Sequence, residues 1–302
     1  MKKIYHVNDD FINTRFDRWF RKNICEAPQS LIEKNIRKGN IKVNNKKIKS
    51  SYKLQEKDHI SLYNIKITNR SKKIKTIYQA TKKDLLFSSN IFIENNDDFA
   101  VINKPSGISV QSGTKSKRNI LDILKKTKEF DNTIPYTVHR IDKDTSGVLI
   151  VAKNRKYAQL FTSLFRIRKI HKTYLCISVG ILEKKKGTMR DELFTYEGNK
   201  KVSSKAITHY KVLDSNNNYS LLMLNPETGR KHQLRKQLLI RGCPVLGDDK
   251  YRLTSKHPKK NSLMLHAFKI NFTINDTKYN FSANVPENFI KTLNEKYLKI
   301  SQ

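Results

Sequence analysis

The apolar positions along this chain fall into two regimes. Between residues 15 and 62 they first recur at helical spacing: Phe16, Trp19 and Phe20 share one face of the segment 15–22, with Arg15, Arg18 and Lys22 elsewhere on it. A second helix is predicted over residues 31–38, with Ser30 as its N-cap, Glu33 three residues on as in a capping box, and Gly39 as its stop. Two short alternating runs follow, 41–43 and 46–48, separated by Asn44 and Asn45, a pair that tolerates the positive φ of a hairpin turn. Residues 58–62 close this small unit.

From about Ile91 onward the pattern turns to strands, predicted at 99–103, 148–152, 173–179, 206–213, 219–224 and 265–274. Only a few helices interrupt them, 155–168 and 231–240 among them. Strands outnumber helices and many are consecutive. The expected fold class is therefore α+β, with a long mixed, mostly antiparallel sheet and a small N-terminal α+β unit. Between the two, residues 64–90 lack periodicity and carry a dense positive run at 69–75, which reads as a flexible basic linker. The domain boundaries so predicted are 13–63, 64–90 and 91–298.

Charge narrows the class. Against 27 Asp and Glu stand 61 Lys and Arg, a net +34 over 302 residues, and that self-repulsion favours a polyanionic partner. Lys-rich compositional drift is the bland alternative. No apolar run approaches the roughly 20 residues of a membrane span. The polar start leads into no signal-peptide core, so a cytoplasmic protein with no membrane contact is expected. Cys25, Cys176 and Cys243 are odd in number and widely spaced, which predicts packed thiols rather than a zinc site. Neither a phosphate-cradling glycine loop nor an H-E-x-x-H helix is present.

The stretch 136–153 crowds polar and charged residues into a tight segment, then Gly147, then an almost wholly apolar strand. A loop mounted on a buried strand can hold a reactive group rigidly. On the residues alone, Asp142 or Asp144 could equally cap a turn or pair with Arg140.

"HRIDKDTSGVLIVAK" at 139–153 closely resembles the signature of the RluA-like pseudouridine synthases. Further segments agree in order and spacing: "NKPSG" at 103–107, "KTYL" at 172–175, "TGRKHQLR" at 228–235 and "PVLGD" at 244–248. The likeness spans roughly residues 91–290. The smaller unit, with "RFDRWF" and "SLIEKNIRKGNIKVNNKKIK", resembles the RNA-binding module first named from ribosomal protein S-four. These resemblances imply isomerisation of uridine in RNA without cofactor or metal. They imply large-subunit ribosomal RNA as the partner and a monomeric enzyme.

By the same correspondence Asp142 is the catalytic carboxylate. Arg235 is its cationic partner, and Tyr174 is the ring that stacks on the base, with a core tyrosine as the alternative. Arg140 fills the gap left by a flipped nucleotide, unless it pairs within its own loop. Lys34, Arg37, Lys38 and Lys42 supply phosphate contacts, and Arg230 and Lys231 touch RNA near the site. His139 is read as structural, and Glu227 and His232 as contacts rather than chemistry. Gln237 stands where many relatives carry His and cannot move a proton as His does. Whether Asp142 attacks the sugar carbon, attacks the ring or assists proton removal is left open, with the sugar carbon preferred. Rival readings are a catalytically silent ribosome-assembly factor, a metal-dependent nuclease, and a sister synthase acting on another ribosomal RNA or on transfer RNA.

Overall fold

The computed structural model describes residues 2–8, 11–65, 78–81, 84–85, 90–112, 118–131, 133–197, 200–253 and 262–300. The basic run 69–75 lies outside them. Contacts divide the chain into two compact units, Met1–Thr76 and Ile77–Gln302.

In the first unit, strands β1 (Lys2–His6), β2 (Ile41–Val43) and β3 (His59–Tyr63) form a sheet in the order β1-β3-β2, all antiparallel. Helices α1 (Phe16–Asn23) and α2 (Gln29–Arg37) supply the rest of a core built from Phe16, Trp19, Phe20, Ile32 and Ile36 with Ile41, Val43, Ile60 and Leu62. The face of α1 read from spacing is thus the one buried. Strand β1 begins ahead of the span 13–63. Its run Lys2, Lys3, Ile4, Tyr5, His6 carries too little alternation to announce itself, and it forms because β3 offers a free edge.

Two local readings are corrected. Helix α2 starts at Gln29 after Pro28, and Ser30 makes no cap; Glu33 instead accepts from Gln29 Nε2 at 2.8 Å and from Ser50 Oγ at 3.2 Å. Pro28 sets the helix entry with its fixed φ, which removes the need for a side-chain cap. Residues 46–48 form no strand, only a bridge from Val43 to Lys46 across the turn. Asn44 and Asn45 do adopt the positive φ values of 48° and 61° that the hairpin requires.

The second unit is a ten-stranded mixed sheet with few helices, as the strand count led one to expect. Its strands are β4 (Phe92–Asn95), β5 (Phe99–Lys104), β6 (Tyr136–Thr137), β7 (Ser146–Ala152), β8 (His171–Val179), β9 (Lys186–Glu197), β10 (Lys200–Ser215), β11 (Tyr219–Pro226), β12 (Leu265–Ile274) and β13 (Thr277–Ser282). They run in the order β4-β5-β7-β12-β8-β11-β10-β9, with β13 on β12 and β6 on β7. Only β7 and β12 pair in parallel, through His266 with Ser146 and Ala267 with Gly147. Helices α3 (Ile120–Leu124), α4 (Arg155–Arg166), α5 (Gln233–Ile240) and α6 (Glu287–Glu295) pack on the sheet.

Asn154 caps α4 by accepting from Tyr157 N at 2.9 Å. Strands β9 and β13 escaped the sequence reading. In β9 the buried Met189 and Leu193 are separated by Arg190, Asp191 and Glu192, so its alternation is faint. Cys176 and Cys243 are buried thiols of one apolar cluster, and Cys25 is half-buried. Among the described residues no helix is long and apolar enough to cross a membrane.

The short β7–β12 contact fixes everything near it. At Gly147, with φ of 109°, a Cβ would lie 2.1 Å from the carbonyl oxygen of Ala267. Gly147→Ala is expected to cost about 3 kcal/mol or more of stability, or to prevent folding, because the blocking atom is backbone. A urea midpoint within error of the parent would refute this.

Candidate active site

Strand β7 is buried along its whole length, and the loop before it carries Asp142. Ile141 and Thr145 are buried on either side of that loop, leaving the Asp142 carboxylate a quarter exposed. Thr145 N donates to Asp142 O at 3.2 Å and closes the turn. The "NKPSG" segment holds the loop from below. Gly107 N donates to Lys143 O at 2.9 Å, and Ser106 Oγ to Asp144 O at 2.7 Å.

Lys104, fully buried, directs its ammonium at three carbonyls, Pro105 O at 2.7 Å, Ile108 O at 2.9 Å and Lys143 O at 3.1 Å. Burial pulls its pKa down to about 7, against the opposing pull of Asp144 and Asp142. Two motifs far apart in sequence are one mechanical unit here.

Helix α5 presents Arg235 to the same loop. Its Nη1 lies 3.3 Å from Asp142 Oδ2, while Nε and Nη2 bond in parallel to Asp248, at 2.6 Å and 2.7 Å. Asp248 is wholly buried and also accepts from the backbone N–H groups of Lys250 at 2.9 Å and Tyr251 at 2.8 Å. Burial works against the guanidinium charge, but the bonds to Asp248 and then Asp142 outweigh it and raise the arginine's pKa. The Tyr251 ring lies 5.1 Å from the guanidinium carbon and its hydroxyl is 2.9 Å from His232 Nδ1. His232 Nε2 in turn stands 3.7 Å from Asp142 Oδ1. Burial lowers the His232 pKa, Asp142 opposes that and Arg235 adds to it. His232 has a left-handed φ of 54°, which turns the chain into α5 and aims the imidazole at the carboxylate.

Tyr174 packs between the cluster under the Asp142 loop and the cluster under α5. Burial, then the Asp142 charge, push its phenol above the ordinary value, so it stays protonated. The structure thus brings Asp142, Arg235 and Tyr174 together. Arg140 is exposed beside them, and among the described residues no ion pair or hydrogen bond holds its guanidinium. Arg230 and Lys231 are exposed on the loop into α5, with Arg230 Nε donating to Lys205 O at 3.1 Å.

Gln237 is buried and structural: it accepts from Thr208 Oγ1 at 2.6 Å and donates to Asp191 Oδ2 at 2.7 Å, tying α5 to β9 and β10. In the first unit Lys34, Arg37 and Lys38 are exposed on and just after α2. Lys42 is not with them. Ile41 and Val43 point into the core, so Lys42 projects from the opposite face of the sheet, over the Tyr63 ring at 5.7 Å.

The residues that sequence reasoning gave no role are Asp248, Tyr251 and Lys104. A signal existed for two of them, since Asp248 ends "PVLGD" and Lys104 sits in "NKPSG". Their function follows only from the partners they meet.

Comparison with known proteins agrees. Residues 98–239 match the family model described as RNA pseudouridylate synthase. Over 96% of this chain and 97% of the relative's, the sequence is 33% identical to ribosomal large subunit pseudouridine synthase C of Buchnera aphidicola subsp. Schizaphis graminum (strain Sg). It is 31% identical to the protein of the same name from Rickettsia bellii (strain RML369-C), over 92% and 96% of the two chains. Human RNA Pseudouridylate Synthase Domain Containing 4 superposes with a TM-score of 0.63 at 25% identity, covering 73% of this chain and 99% of that one. The chain belongs to the RluA-like family of RNA pseudouridine synthases, isomerases that convert uridine in RNA to pseudouridine.

Two consequences are measurable. Asp248→Asn leaves the buried Arg235 without its bidentate anion and is expected to cost about 3–5 kcal/mol in urea unfolding; a loss under about 1 kcal/mol would show that Arg235 is held without it. His139 is pinned as a neutral ring: its Nε2 accepts from Ile150 N at 2.9 Å, it stacks on Phe165 at 4.5 Å, and burial, then Lys172, lower its pKa from 6.5 to about 3. The unfolded chain therefore binds a proton that the folded chain refuses, so this contribution is present above pH 6.5 and is lost as the pH falls from there toward 3. His139→Gln, which keeps an acceptor, should flatten the fall of the urea midpoint over that window; an unchanged slope would exclude His139 as its source.

Proposed function

We propose that this enzyme isomerises uridines of large-subunit ribosomal RNA and that the Asp142 carboxylate is its nucleophile. The observation that carries the reading is the single Arg235 guanidinium held by Asp248 through Nε and Nη2 with Nη1 turned to Asp142. A nucleophilic carboxylate must stay ionised in a half-buried site, and a fixed guanidinium that keeps its charge supplies that. Asp142 attacks the sugar carbon: its oxygen bonds to C1′ as the bond from C1′ to N1 breaks, and the uracil leaves with the electron pair. The ring turns, its C5 takes C1′ back from the carboxylate, and the C5 proton is then lost while N1 gains one, so that the product is an isomer of the uridine.

Tyr174 offers a ring for the uracil to lie on and a protonated hydroxyl beside the reacting groups. Arg140, exposed and without an ion pair or hydrogen bond to its guanidinium among the described residues, is suited to stack where the extruded base had been. Arg230 and Lys231 flank the entry, and Lys34, Arg37 and Lys38 hold RNA phosphates from α2. The target class rests on two relatives, each matched over nine-tenths or more of both chains, whose names specify the large ribosomal subunit. The protein works in the cytoplasm as a monomer, without metal or cofactor.

Asp142→Asn should fold and bind RNA yet form no pseudouridine. Arg235→Lys, which cannot serve two carboxylates in one plane, should lower turnover by about 100-fold. Mapping pseudouridine in ribosomal RNA from cells with and without the gene identifies the target. Identical maps would refute the ribosomal assignment, and pseudouridine formation by the Asp142→Asn protein would remove Asp142 from the chemistry.

A further inference from the structure

The first unit has a second surface that the helices do not cover. The register sets Lys2 opposite Tyr63, Ile4 opposite Ser61 and His6 opposite His59, with Lys42 opposite Ser61 on the other side. The alternate positions, Tyr5, Ile41, Val43, Ile60 and Leu62, belong to the core. Lys2, Ile4, His6, Lys42, His59, Ser61 and Tyr63 therefore share the outward face. No acidic residue stands among them.

Two lysines lie over one ring: Lys2 Nζ is 5.6 Å and Lys42 Nζ 5.7 Å from the centre of Tyr63. Ser61 forms the floor between Ile4 and Lys42. Its hydroxyl is buried and, among the described residues, has no hydrogen-bond partner. Lys2, Ile4 and His6 are exposed, so this face is open at its β1 side.

An aromatic ring on an open sheet with two ammonium groups beside it matches the needs of single-stranded RNA. The base stacks on the ring as the lysines turn to the flanking phosphates. We infer that the outer face of the β1-β3-β2 sheet, centred on Tyr63, is a single-stranded RNA platform separate from the basic surface of α2. The inference rests on the reading of this chain as an enzyme of RNA. It gives Lys42 a place that the α2 surface does not.

The test uses the full-length protein and a short unstructured RNA followed by fluorescence anisotropy. Tyr63→Ala should weaken binding about 10-fold, whereas Tyr63→Phe keeps the ring and the affinity. Lys2→Gln with Lys42→Gln should lower the salt slope by about 0.7 for each lysine. Circular dichroism on each variant separates these losses from unfolding, and RNA carrying a photoreactive uracil should crosslink to β3.

Unchanged affinity and salt slope in the folded Tyr63 and lysine variants, or crosslinks confined to α2, would overturn the proposal. A protein partner on this face gives that same result and counts against it. Pseudouridine formation by the parent enzyme, measured alongside, tells failure of this surface from failure of the enzymatic reading.

Discussion

A buried guanidinium shared between two carboxylates organises the catalytic unit. Arg235 spends two N–H groups on Asp248 and offers a third to Asp142. Removing two charges from water carries a penalty of several kcal/mol each, recovered only when geometry is good and the remaining lone pairs are answered. Here they are answered: Asp248 also accepts two backbone N–H groups, and the Tyr251 ring lies against the cation. Asp142 receives less. One long bond to Arg235 and a histidine 3.7 Å away leave its oxygens only loosely held. Such an imbalance suits a carboxylate that has to react, and it places the structural share of the charge pairing on Asp248.

That arrangement depends on where the sheet lets two strands touch. Parallel contact between β7 and β12 is two residue pairs long and passes through Gly147. On one side of it, Lys104 ties the Asp142 loop to the turn after β5 with three bonds from one ammonium. Behind the other, Gln237 ties α5 to β9 through Asp191, and Gln237 and Gln233 tie it to β10 through Thr208. The loop and the helix are thus each fixed to the sheet, and the distance from Asp142 to Arg235 is set by the scaffold.

Charge works at longer range. A net +34 draws RNA to the whole molecule, and such attraction carries no sequence information. What distinguishes one basic surface from another is local. On and just after α2 the cations are exposed to solvent, while on the outer sheet they flank an aromatic ring.

The α+β class and the wholly buried β7 could be read along the chain because burial imprints a period on consecutive residues. The face of α1 was legible for the same reason, whereas the cap predicted for α2 at Ser30 was displaced by Pro28. Strand β9 was not legible, since Arg190, Asp191 and Glu192 interrupt its apolar beat, and neither was β1, which pairs only because β3 has an edge to give. Asp142, Tyr174 and Arg235 were found through motifs, which name residues without measuring distances. Only the tertiary structure decided that Asp248 grips Arg235, that Lys104 braces the catalytic loop and that Lys42 faces away from α2. Those are contacts between residues far apart in sequence or on opposite faces of one sheet, and periodicity records whether a side chain is buried but not whom it meets.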